Sequence, residues 1–155
     1  MLGGNVGNRR DYLCRCIDLL HRDVGTVTGM SAVYESEPWG FDHPTWFLNQ
    51  AVAIMTHLMP QTLLESIHQI EQTLGRTRTH TGYQPRTIDI DILLYGTCVM
   101  DIPELVIPHL RMTERMFVLQ PMAELAPDLE HPVLHRTMTY LRDHCTDCKI
   151  VRRVR

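Results

Sequence analysis

The stretch Pro85-Arg86-Thr87-Ile88-Asp89-Ile90-Asp91-Ile92-Leu93-Leu94-Tyr95 decides how the chain is read. Its β-branched and apolar residues predict a strand, in which alternate side chains share a face. Ile88, Ile90, Ile92 and Leu94 then make an apolar face, and Asp89 and Asp91 stand side by side on the other. Aspartate is disfavoured in strands, and like charges on one face repel. A chain that builds such a pair compensates it with a cation. Two hard carboxylates suit Mg²⁺, which takes oxygen ligands and shares them with substrate phosphates. Arg86 sits just upstream, and Arg76 and Arg78 lie before it. The segment reads as a metal and polyphosphate site; the plain alternative is a solvated strand face.

Composition narrows the classes. A chain of 155 residues, 44% hydrophobic and 21% charged, suits one soluble domain, 1–155, with a substantial core. The net charge of −3 gives no general attraction to nucleic acid or anionic membrane, so neither is expected as a partner and any phosphate site must be local. No apolar run approaches the roughly 20 residues that span a bilayer. The start lacks a basic region followed by an apolar one, so a cytoplasmic setting is expected. The five cysteines, Cys14, Cys16, Cys98, Cys145 and Cys148, are odd in number and irregular in spacing, which argues against a disulfide framework. His144-Cys145-x-x-Cys148 has the spacing of half a zinc site or of a redox pair, but a second half and the strand-to-helix context are missing.

The rest of the chain reads as alternating elements without repeats or linkers. Leu2-Gly3-Gly4-Asn5-Val6-Gly7-Asn8 is a glycine-rich turn after only two residues of strand, and helical spacing follows over Arg9 to Asp23, closed by Gly25. Thr26 to Ser36 and Phe47 to Thr56 read as strands, separated by a long turn with two prolines. Pro60 opens a second helix with Leu63, Leu64, Ile67, Ile70 and Leu74 on one face, closed by Gly75. A polar loop, 76–85, precedes the Asp-x-Asp strand. Val106 to His109 is a short extended piece, Thr113 to Leu125 a helix interrupted by Pro121, Thr137 to His144 a last helical turn or two, and Lys149 to Val154 a terminal strand. The order strand stub, helix, strand, strand, helix, strand predicts an α+β, ferredoxin-like βαββαβ sandwich with helices on one sheet face and extra C-terminal elements. The two-residue stub is expected to pair weakly, as if the first strand were truncated.

Taken together, these residues resemble the 6-hydroxymethyl-7,8-dihydropterin pyrophosphokinases of folate biosynthesis. The likeness runs from Leu2 to Asp128 in several motifs: Leu2 to Gly7; Ser31 to Pro38; Phe47-Leu48-Asn49-Gln50-Ala51-Val52; Ile70-Glu71 with Gly75-Arg76-x-Arg78; Pro85 to Asp91; Ile107-Pro108-His109; Arg115-x-Phe117-Val118-Leu119-x-Pro121; and Ala126-Pro127-Asp128. The resemblance implies transfer of pyrophosphate from ATP to the pterin hydroxymethyl group, leaving AMP. It implies two Mg²⁺ ions on Asp89 and Asp91, ATP as co-substrate, and a triphosphate clamp of Arg76, Arg78, Arg86, His109 and Arg115, with Arg76 and Arg86 catalytic alongside the aspartates. Glu71 has a supporting role at the nucleotide, and Ile92 walls the adenine. Ser36, Phe47, Asn49 and Phe117 form the pterin site, its ring between the two phenylalanines, with Trp39 and Tyr83 closing over it. A neighbouring folate-pathway enzyme is the partner the resemblance suggests.

Two departures stand out: Gly4 where the family has serine, expected to loosen the first turn, and Gln84 where it has glycine. Read without the family, Phe47 and Phe117 would be core, and the arginines a solvated surface. The glycine turn is no Walker A sequence and completes no Rossmann fingerprint. A pterin-binding module without catalysis, taking a strand from a partner, is the main rival; an RNA- or metal-binding module fits less well for want of a basic patch and a second half-site.

Overall fold

The computed structural model describes residues 1–76 and 84–154. In chain order its elements are β1 (Leu2–Gly4), α1 (Arg9–Asp23), β2 (Thr26–Met30), β3 (Tyr34–Ser36), β4 (Phe47–Gln50), β5 (Val52–Met55), α2 (Pro60–Thr73), β6 (Asp89–Ile90), β7 (Met100–Ile102), β8 (Leu105–Ile107), a 3₁₀ turn (Met112–Glu114), α3 (Met116–Leu125), α4 (Met138–Asp143) and β9 (Val151–Arg153). The fold is α+β: an antiparallel sheet in the order β6-β1-β4-β3-β9, a two-stranded antiparallel pair of non-consecutive strands, β2-β5, a small hairpin, β7-β8, and four helices.

The helices begin where local chemistry predicts. The Asn8 side chain accepts from the Asp11 N–H at 3.3 Å and caps α1. Pro60 takes the first turn of α2, where a missing N–H costs nothing. Gly75 adopts φ +80°, a conformation most side chains avoid, and the turn it makes lets the Arg76 N–H donate to the Glu71 carbonyl at 2.9 Å.

Two apolar clusters lie on opposite faces of the sheet. Leu2 and Leu48 meet Leu13, Cys16 and Leu20 of α1 and Leu63, Ile67 and Ile70 of α2. Ala51 and Leu93 meet Val118 and Met122 of α3 and Met138 of α4. Each large side chain so buried contributes about 1.5–3 kcal/mol. The helices are therefore not confined to one face, as the sequence had suggested. The reason is that β4 alternates: Leu48 serves one core, while Asn49 and the following Ala51 face the α3 side.

Three predicted strands are shorter than their patterns. Thr26 to Ser36 breaks into β2 and β3 across residues 31–33, and within β2 itself the register against β5 shifts between Val27 and Gly29. At the break, Ser31 takes over the pairing: its N–H donates to the Ala51 carbonyl, and its hydroxyl accepts from the Ala51 N–H, both at 3.0 Å. Phe47 to Thr56 divides at the same Ala51. The Asp-x-Asp strand keeps ladder pairing only over Asp89–Ile90. Ile88 and Ile90 are buried as the alternation predicts, but beyond Asp91 the Leu93 carbonyl turns to accept from the His109 N–H at 2.9 Å, and Leu93 rather than Ile92 enters the core. β7, by contrast, drew no reading from the sequence at all.

The first strand is short but central. Leu2, Gly3 and Gly4 pair with Gln50, Asn49 and Leu48 on one side, and Leu2 and Gly3 with Ile90 and Asp89 on the other. Met1 and Asp91 extend this ladder, exchanging bonds of 2.7 and 2.9 Å. The stub is thus paired on both edges rather than weakly on one.

Candidate active site

Directly opposed residues in an antiparallel sheet point to the same face. The register therefore lines up Asp89, Gly3, Asn49 and Tyr34 across four strands, with Phe47 and Ser36 in the next row. All of these but Tyr34 line one cavity of about 550 Å³ on the α3 side of the sheet, a size that suits a small-molecule site. Gly3 forms its floor: a Cβ there would stand 3.1 Å from Asn49 Oδ1. Asp91, Ile92, His109, Arg76, Arg86, Arg115, Phe117 and Trp39 complete the lining assembled from the sequence.

One end is ionic. Arg76 bridges Glu71 and Asp89, and Arg86 bonds the other Asp89 oxygen. Glu71, only 1% exposed, also accepts from the Ile90 N–H at 2.9 Å. It stands behind the cavity rather than in its wall, and holds Arg76 to β6. Asp91 has no ion pair among the described residues. Burial first, and then the charge of Asp89, push its carboxyl above the usual range. A half-buried carboxylate beside a second one, facing a cavity, is the local chemistry that a bound cation relieves. Among the described residues no group of three His, Cys, Asp or Glu could hold a metal ion. The two aspartates would therefore need further oxygen ligands from outside the protein.

His109 hangs between these groups. Its Nδ1 accepts from the Arg111 N–H at 3.2 Å, which leaves the proton on Nε2. Burial holds its pKa below the ordinary value, against the pull of Asp91, so the ring is a neutral donor at pH 7.

The other end is aromatic and amide-lined. Asn49 Nδ2 donates to Ser36 Oγ at 2.8 Å, and both residues are 2% exposed. Phe47 meets Phe41 edge-on at 6.1 Å, and the Arg86 guanidinium lies 5.9 Å from the Phe47 ring. Arg115 lies 4.6 Å from the Trp39 ring and 5.7 Å from that of Phe117. Arg78 and Tyr83 lie outside the described residues.

Several contributors carried no functional reading. Asn5 is 1% exposed; its Oδ1 accepts from the Arg86 N–H at 2.9 Å while its amide nitrogen donates to the Thr45 carbonyl at 3.3 Å. It joins the glycine turn to Arg86 and to the loop before β4. A buried amide inside a glycine-rich turn was the available signal. Phe41, Leu64 and His68 also line the cavity, and nothing in their sequence context marks them. Gly4 does not loosen its turn: a Cβ there would lie 2.2 Å from the Thr87 carbonyl oxygen, so this close approach requires glycine.

The fold and this cavity define an α+β protein with one pocket that is ionic at one end and lined by aromatic and amide side chains at the other. The family model of the 7,8-dihydro-6-hydroxymethylpterin-pyrophosphokinases (HPPK) matches residues 1–127, and the chain belongs to that family. It is 46% identical over 130 residues to the 2-amino-4-hydroxy-6-hydroxymethyldihydropteridine pyrophosphokinase of Bacillus subtilis, covering 83% of this chain and 77% of that one. It is 43% identical over 134 residues to the protein of the same name from Porphyromonas gingivalis, covering 84% and 90%. In fold it is similar to the crystal structure of Plasmodium falciparum HPPK-DHPS with pteroate, with a TM-score of 0.76 at 16% identity, covering 92% of this chain and 43% of that one. No helix among the described residues is long and apolar enough to cross a membrane.

Proposed function

We infer that the protein is a 2-amino-4-hydroxy-6-hydroxymethyldihydropteridine diphosphokinase, which moves the terminal pyrophosphoryl group of ATP to 6-hydroxymethyl-7,8-dihydropterin and releases AMP, in folate biosynthesis. The observation that carries this reading is a single cavity that brings Asp89 and Asp91 to one end and the Ser36–Asn49 pair to the other.

The ring takes the amide end, where Asn49 offers donor and acceptor to the pterin edge and Phe47 and Phe117 supply aromatic faces. Trp39 closes that end from the loop before β4. The triphosphate takes the ionic end. Arg76 and Arg86 are now spent on Asp89; on nucleotide entry their guanidinium forks turn to phosphate oxygens, for which their geometry is suited. Asp89 and Asp91 would then hold two Mg²⁺ ions, with the missing ligands supplied by phosphate and water. Bound there, the metal supplies charge neutralisation at the phosphates and activation of the attacking hydroxyl. His109 donates from Nε2 to a phosphate oxygen, and Arg115, stacked on Trp39, links the two ends. Ile92 lines the wall where adenine would lie. The chain's own contribution is therefore positioning and fixed charge, which is where phosphoryl transfer takes most of its acceleration.

Three finer readings belong to the same proposal. The order β6-β1-β4-β3 with antiparallel pairing throughout supports a ferredoxin-like βαββαβ plan, to which β9 adds an edge. A cytoplasmic setting fits five free thiols. A second folate-pathway enzyme is the partner suggested by the HPPK-DHPS chain of similar fold, of which this chain spans 43%. The test is incubation with ATP, Mg²⁺ and 6-hydroxymethyl-7,8-dihydropterin: AMP that forms only with pterin supports the reading, and ADP in its place overturns it.

A further inference from the structure

The family match ends at residue 127, yet the segment beyond it returns to the strand that carries Ser36 into the cavity. β9 pairs with β3 through Tyr34–Arg153, Glu35–Arg152 and Ser36–Val151, and Ser36 lines the aromatic end. The ladder is prolonged by the Glu37 N–H donating to the Ile150 carbonyl at 3.2 Å, and by the Ile150 N–H donating to Glu37 Oε2 at 2.9 Å. Just before it, Asp147 uses both carboxylate oxygens. Oδ2 accepts from the Met116 N–H at 2.9 Å, and Oδ1 from the Lys149 N–H at 3.0 Å.

Met116 is the first residue of α3, between Arg115 and Phe117, and the residue in the capping position, Arg115, provides no side-chain cap. The first N–H groups of a helix need acceptors from outside it, and an anion there also suits the helix dipole. Asp147 meets that need from 31 residues further along the chain. One carboxylate thus ties the start of α3, beside Phe117 and the Arg115–Trp39 stack, to the segment that leads into the strand backing Ser36. The Cys145 and Cys148 that flank it need no role of their own.

We propose that Asp147 is a positioning residue for the ring-binding end, setting the distance between the Phe117 side and the Ser36–Asn49 side of the cavity through its bonds to Met116 and Lys149. The claim rests on the pterin reading of that end. It is tested in the full chain with Asp147→Ala and Asp147→Asn. The alanine variant raises KM for pterin about fivefold, the size of effect that follows loss of a helix cap, while KM for ATP, to which only Arg115 of this segment contributes, rises by less than half as much. The asparagine variant, which keeps an acceptor for Met116, restores KM for pterin to within about twofold of wild type. Amide exchange in the unliganded protein is read alongside: in Asp147→Ala it quickens at Met116 and Phe117, while the β1–β4 ladder stays protected. Equal rises in both KM values, or unchanged exchange at Met116, overturn the proposal. If the wild type makes no AMP, the pterin reading falls, and the exchange measurement still decides whether Asp147 orders the start of α3.

Discussion

Asp89 and Asp91 face the same cavity in different electrostatic company. Asp89 is neutralised by two arginines, whereas Asp91 has burial and its neighbour's charge against it. The alternation of the decisive stretch was enough to bring the two together, because period two is a property of any extended chain. Their inequality was not legible, since it depends on Arg76 arriving from the end of α2. Asn49 is a parallel case. A polar residue in an apolar strand announced a buried amide, but its partner, Ser36, comes from across the register. Asn49→Ala is expected to weaken binding of a pterin analogue roughly 10- to 30-fold, the range for a lost buried hydrogen bond with an unpaired partner left behind. Binding of an ATP analogue should change less than twofold. Calorimetry on both ligands checks this, and equal weakening would make Asn49 a structural residue.

At the scale of elements, helices were far more legible than strands. Arg9–Asp23 carries its cap, its periodicity and its stop within one stretch, and the boundaries match the reading. Strand ends are decided by what lies alongside: Ser31 against Ala51, and His109 against Leu93. None of these neighbours can be seen from within the strand. The contact of α2 with β6 rests on Glu71, whose carboxylate holds Arg76 and the Ile90 N–H in a buried position. Removing one member of such a network leaves the others uncompensated. Glu71→Ala should therefore cost about 3 kcal/mol in urea unfolding. A loss below about 1 kcal/mol, the range of a surface pair, would show that the network contributes little.

For the whole molecule, the five-stranded sheet is closed at one edge by β9, and charge helps to hold it there. Glu35 accepts from Arg152 at 2.6 Å and from Arg9 at 2.9 Å, and these bonds, that of Arg152 first, hold its carboxyl below the ordinary value of 4.5. A carboxyl lowered on folding stabilises the native state above its unfolded pKa, and that contribution is lost as pH falls through the folded value. Wild-type melting temperature should thus fall more steeply below about pH 4.5 than that of Glu35→Gln, whose melting temperature should be the lower of the two at pH 7. Parallel profiles would show that the edge does not depend on this charge.

That sheet brings an ionic end and an aromatic, amide-lined end into one cavity, and the proposed function stands on which phosphorus the pterin hydroxyl attacks there. ATP labelled at the β-phosphorus, supplied with Mg²⁺ and 6-hydroxymethyl-7,8-dihydropterin, separates the possibilities in one chromatogram. Pyrophosphoryl transfer predicts that the label leaves the nucleotide and appears on the pterin, in step with unlabelled AMP. Label retained in ADP, with a singly phosphorylated pterin, would contradict it.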